Sequence, residues 1–147
     1  MSLLFKRVDD LKTREKVNEF LTDDLEHLLL MSGHNLTDLK SPNLSATPAH
    51  SNAGNGVEDR LIRGINAEAI VKAIAATINH LPHDSKEVLT GLYIERLPWL
   101  KVQQRLYCEH NKLGYTRRRA LYDFADAFDK WQRYYNCEPI IDLHVWY

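Results

Sequence analysis

The chain has 147 residues, 19 Lys and Arg against 20 Asp and Glu, a formal net charge of -1, and 2 cysteines. That length suits one domain with an appendage. Cys108 and Cys137 are too few and too far apart for a disulfide scaffold or a four-ligand zinc site, so reduced structural thiols are expected. No window approaches the roughly 20 apolar residues of a membrane span, and MSLLFKRVDD lacks the apolar stretch of a signal peptide; a cytoplasmic protein without membrane contact is expected.

In DLKTREKVNEFLTDDLEHLLLMSG, the residues Val17, Phe20, Leu21, Leu25, Leu28 and Leu29 recur at intervals of three, four and one, marking one face of a helix. Thr13 is the expected N-cap and Gly33 the stop, so residues 1–32 read as a single N-terminal amphipathic helix. Residues 33–64, which include GHNLTDLKSPNLSATPAHSNAGNG, have almost no aliphatic periodicity and read as a flexible linker.

Periodicity returns at NAEAIVKAIAATINHL, with Ala67, Ile70, Val71, Ile74, Ala75 and Ile78 on one face and Pro82 as the break. A helix over DSKEVLTGLYIERL, capped by Asp84 or Ser85, buries Val88, Leu89, Leu92 and Tyr93. Another starts at Pro98 and carries Trp99, Val102 and Leu106. After the polar break CEHN a long helix follows, whose seam is Ala120, Leu121, Phe124, Ala125, Phe128 and Trp131. Residues 65–136 are therefore a four-helix domain ending in a helix, a turn and a helix. Residues 137–147, CEPIIDLHVWY, are β-branched and aromatic and read as an extended C-terminal arm, docked on its own chain or on another copy. The fold class expected is all-α.

The charge balance hides a basic block. From Arg96 to Arg119 stand Arg96, Lys101, Arg105, Lys112, Arg117, Arg118 and Arg119 against Glu109 alone, a local +6 that leaves -7 for the rest. A solvated helix face is the ordinary explanation of adjacent arginines. Here Lys101 and Arg105 precede them on a neighbouring helix, where they would flank the same groove, and backbone phosphates call for several cations on one rigid element. Adjacent arginines point about 100 degrees apart, so at most one or two read bases while the others grip phosphates. Tyr115 and Thr116 offer a stacking or hydroxyl contact, or else helix packing. Asn111 and Lys112 stand at the end such helices push deepest into the major groove.

Catalysis has little support. His80 and His83 are three apart, but Pro82 intervenes and no further ligand completes a metal set. Asp123, Asp126 and Asp129 read as a solvated face. No glycine-rich phosphate loop, nucleophile elbow or telling Cys/His spacing is present. A binding protein rather than an enzyme is expected, with no cofactor and no metal.

Several segments, VDDLKTREKVNEFL, SPNLSATP, GNGVED, HLPHDSKEVLTGLYIERL and RRRALYDFADAF, together resemble the ArpU-type phage late transcriptional regulators, whose C-terminal part is similar to region 4 of bacterial sigma factors. The resemblance runs over nearly the whole chain and rests on the order and spacing of the segments. It implies a DNA-binding activator of phage late genes working close to a promoter, with host RNA polymerase as a partner and a recognition helix on about residues 110–119. One departure is that His110 or Asn111 stands where the family opens that helix with a small hydroxyl residue.

A sequence-specific, double-stranded DNA-binding transcriptional regulator is therefore expected, contacting DNA through Lys101, Arg105, Asn111, Lys112, Tyr115, Thr116, Arg117, Arg118 and Arg119. The alternative is a protein-interaction module, such as an anti-repressor or packaging subunit, whose basic helix meets an acidic partner; a nuclease subunit is the weakest reading. The apolar stripe from Thr13 to Leu30 needs covering, and a homo-oligomer is expected to supply the cover, with the fold-back of that helix on its own C-terminal domain as the other solution.

Overall fold

The computed structural model describes residues 7–40 and 58–147. Asp9 opens the first helix: its backbone is extended and its carboxylate accepts the Lys12 N–H at 3.1 Å. Thr13, the cap expected from the sequence, is instead fully buried one turn later. Helix α1 (Asp10–Glu19) runs into a π turn at Phe20–Asp24 and continues as α2 (Leu25–Ser32), so one expected helix is two joined by a wider turn. Within that turn the Leu25 N–H reaches back five residues to the Phe20 carbonyl. The offset keeps both halves of the stripe inward: Val17, Phe20, Leu21, Leu25, Leu28 and Leu29 are all buried. Gly33 ends α2 as expected, with φ 77 and its N–H on the Leu29 carbonyl at 2.9 Å.

Part of the expected linker is structured. Leu36–Lys40 forms a 3-10 turn that buries Leu39, whose carbonyl accepts from the Asn79 side chain at 3.1 Å. Residues 58–64 belong to α3 (Glu58–Asn79); the rest of that stretch, 41–57, lies outside the described residues. The charged text EDRLIRG conceals this first part of α3, because its periodicity is weak. Further along, α3 buries Val71, Ala73, Ile74, Ala75, Thr77 and Ile78. A helix apolar on that much of its circumference must be surrounded. It packs against α2, α4 (His83–Leu89) and α6 (His110–Tyr134), while α1 packs on α6. A second π turn, Thr90–Ile94, follows α4, and Pro98 leads into α5 (Trp99–Leu106) as expected. Pro82, not Asp84 or Ser85, is the N-cap of α4, and no side chain caps that helix.

The N-terminal stripe thus lies in the same core as Ile74, Leu121, Phe124 and Phe128, with the Phe20 ring 5.4 Å from that of Phe128. Its own chain covers it, so the stripe no longer calls for a second copy. The arm also docks at home. Asp9 N–H donates to the Val145 carbonyl at 2.7 Å, Val145 N–H to the Thr13 hydroxyl at 2.9 Å, and Tyr147 N–H to the Arg7 carbonyl at 3.0 Å. Gln132, fully buried on α6, clamps the arm from both sides: its Nε2 donates to the Ile141 carbonyl at 2.8 Å and its Oε1 accepts the Ile141 N–H at 2.7 Å. Among the described residues no β-strand forms; Val8 and Trp146 make one isolated antiparallel bridge. The all-α expectation holds.

Candidate nucleic-acid interface

Helix α5 stops because Tyr107 takes a left-handed conformation, φ 52 and ψ 45, which lets the Cys108 N–H close on the Gln103 carbonyl at 3.1 Å. Tyr107, Cys108 and Glu109 make the turn, and α6 begins at His110. A small cluster fixes the two helices: Val88 of α4, Val102 of α5 and Leu113 of α6 are fully buried, with Trp99 and Leu106 packed on them.

Burial sorts the basic helix into two faces. Leu113, Thr116, Ala120 and Leu121 are buried, whereas Asn111, Lys112, Tyr115, Arg118 and Arg119 are exposed at intervals of three and four. From His110 to Ala120 the sequence holds no carboxylate. Lys112 Nζ lies 5.9 Å from the Tyr115 ring centroid, in range of a cation–π contact.

Two of the nine expected contacts point elsewhere. Thr116 is buried and its hydroxyl donates back to the Lys112 carbonyl at 2.9 Å. Arg117 is half-buried, and its Nη2 donates at 3.0 Å to both the Asn18 Oδ1 and the Tyr93 hydroxyl, tying α6 to α1 and to the second π turn. The Tyr93 hydroxyl donates in turn to Asn18, and burial raises its pKa although the Arg117 guanidinium works against the rise. Helix register decides the division: one arginine of three faces inward, and two face solvent.

Ion pairs divide the basic block further. Arg96 meets Glu26 at 2.8 Å, and Arg105 is held by Glu95, which also takes Lys40 at 2.9 Å. The hydrogen bonds from Lys40 and then Arg105 hold the Glu95 carboxyl below its ordinary range. Arg119 stands 3.9 Å from Asp123. Lys101, Lys112 and Arg118 make no ion pair among the described residues, and all are exposed. The exposed cationic face is therefore smaller than the +6 of the sequence. Both cysteines are free, and burial pushes the Cys137 thiol up to about 11. No group of three or more His, Cys, Asp or Glu among the described residues is arranged to hold a metal. Among them no helix is long and apolar enough to cross a membrane.

Sequence reasoning missed Asn18, which accepts from Arg117 and Tyr93. It stands next to Val17 of the α1 stripe, and a polar group on the border of an apolar face needs a partner.

The chain is 26% identical over 127 residues to the "Putative autolysin regulatory protein ArpU" of Enterococcus hirae, covering 85% of this chain and 92% of that protein. The match is in keeping with the resemblance read from the sequence. No family model matches the chain, and no solved structure does.

Proposed function

We propose that this chain is a sequence-specific, double-stranded-DNA-binding transcriptional regulator of phage or prophage late genes, with α5, the turn and α6 acting as a helix-turn-helix. The observation that carries this reading is the exposed face of Asn111, Lys112, Tyr115, Arg118 and Arg119 on a helix whose first three turns hold no carboxylate. Such a helix fits the major groove, where its first residues reach base edges. In this reading Asn111 and Lys112 face the bases, Arg118 and Arg119 take phosphates, and Lys101 of α5 contacts the backbone as that helix crosses it. Arg105 joins them only by leaving Glu95. Arg117 and Thr116 build the helix into the fold rather than touch DNA. The regulatory name of the Enterococcus hirae relative supports the same reading.

Binding of the full chain to duplexes from the late region of its genome, followed by fluorescence anisotropy from roughly 50 to 200 mM salt, tests the proposal. Affinity falls steeply with salt, and Lys101→Ala and Arg118→Ala each reduce the slope of log affinity against log salt by about 0.9. A chain that leaves duplex DNA unbound and binds an acidic protein instead would overturn it.

A further inference from the structure

Between α1, the start of α5 and the first turns of α6 lies a cleft of about 440 Å³ whose polar lining is Arg14, His110, Asn111, Arg117 and Arg118, with Trp99 beside them. No carboxylate lines it. A second cleft, of about 490 Å³, adjoins it and shares Arg14 and Arg118.

Two N–H donors at this place are buried and have no hydrogen-bond acceptor, Arg14 Nε and Trp99 Nε1. Arg14 Nε does form an ion pair, with Asp10 Oδ1 one turn earlier on α1 at 3.5 Å, and that carboxylate is largely exposed. An unpartnered buried donor such as the Trp99 indole N–H is uncommon in folded proteins and points to a missing acceptor. The start of α6 adds to the demand, since Glu109 makes no side-chain cap and leaves the leading N–H groups of a 25-residue helix open to an anion. Gly114 lines the same cleft, and a Cβ there would meet only Arg118 Nη1, at 3.5 Å, so nothing but that side chain crowds the helix backbone.

We propose that this cleft seats a phosphate group, received from the guanidinium of Arg14 on α1 together with Arg118, the Trp99 indole N–H and the start of α6. Resting on the DNA-binding reading above, the occupant is one phosphodiester of the duplex backbone. The N-terminal helix then forms part of the DNA-binding surface: packing of α1 on α6 brings a cation from outside the basic block to the edge of the groove. Planar guanidinium forks suit tetrahedral oxyanions, and the seat fixes register without reading sequence.

The test follows the Trp99 indole N–H resonance of the full chain by NMR, assigned with Trp99→Phe, during titration with a late-region duplex and separately with inorganic phosphate, each against sodium chloride of equal ionic strength. The duplex shifts that resonance. Arg14→Gln abolishes the shift and lowers the salt slope of duplex binding by about 0.9, with the melting temperature and the preference between sequences unchanged. A bound duplex that leaves the Trp99 resonance in place, with the salt slope of Arg14→Gln equal to wild type, overturns the seat while DNA binding stands. A response to inorganic phosphate and none to the duplex assigns the cleft to free phosphate and overturns the duplex backbone as its occupant. Silence toward both overturns the proposal.

Discussion

Two regions of the molecule are built on different scales. The main core joins α1, α2, α3 and the middle of α6 around side chains such as Leu21, Leu25, Ile74, Phe124 and Phe128, all buried to within 2%. The cluster under α5 and the first turns of α6 has only Val88, Val102 and Leu113 fully buried among the described residues. Lys101, Lys112 and Arg118, the exposed cations of the basic block that make no ion pair among the described residues, stand over the thin region. Ligand-binding elements are drawn from the less stable parts of a fold, and α6 links the two as a single rigid helix. The largest expected effects come from removing side chains in each region. Phe124→Ala costs about 3 to 5 kcal/mol and lowers the melting of the whole chain. Leu113→Ala costs about 2 to 5 kcal/mol, and its added hydrogen exchange is confined to α4, α5 and the first turns of α6. Equal exchange increases throughout α3 in both variants would show that the two regions open as one.

Gln132 sharpens the comparison, because it attaches the arm to the thick region. Its amide satisfies both backbone groups of Ile141 from a fully buried position. Gln132→Ala leaves an N–H and a carbonyl unmet, at about 1 to 3 kcal/mol for each group. The combined cost expected is about 2 to 6 kcal/mol, with proteolysis starting in residues 137–147. Resistance of the arm equal to wild type would mean that Leu143 and the pairing with Val8 and Asp9 hold it without the clamp.

The arginine triplet divides between scaffold and surface within three residues. Arg117→Ala removes the guanidinium that joins Asn18 and Tyr93, and costs about 1 to 3 kcal/mol. Arg118→Ala leaves the melting temperature unchanged, since Arg118 is exposed and makes no ion pair among the described residues. The opposite ranking in thermal melts would place the register of α6 about 100 degrees from the one described.

Much of this was legible in the sequence. The apolar stripes, the Gly33 stop, Pro98 before α5 and the turn before α6 each rest on short-range chemistry, and that chemistry survives in the fold. What was not legible depends on partners distant along the chain. The Thr13 hydroxyl caps nothing locally; its partner is Val145, 132 residues away. The stripe of α1 and α2 suits one straight helix or two joined by a π turn, and only packing against α3 and α6 selects the second. Adjacent arginines read alike in a sequence. Which one turned inward depended on where Asn18 and Tyr93 came to lie. Residues 58–64 were assigned to the linker because a charged helix start has no stripe to announce it.

The smallest expected effect concerns pH and the docked arm. His144 on the arm stands between Asp126 of α6 and Asp142 of the arm, each at 2.7 Å, with the Tyr122 ring edge-on at 6.4 Å and the Trp146 ring at 5.4 Å. Burial disfavours the charged imidazole, but the two carboxylates outweigh it and raise the pKa above the ordinary 6.5. A raised folded-state value means that the protonated form supports folding. The contribution is complete below the unfolded value of about 6.5 and is lost as pH rises through the folded one. Both carboxylates are more than half exposed, so solvent screens the pair and keeps the effect modest. As pH rises above about 6.5 the wild-type arm therefore loosens, visible as a change in Trp146 fluorescence, while His144→Asn is flat over the same range. Parallel pH profiles for the two proteins would assign the change to another group and leave the arm held by Gln132 and the Val8 pairing alone.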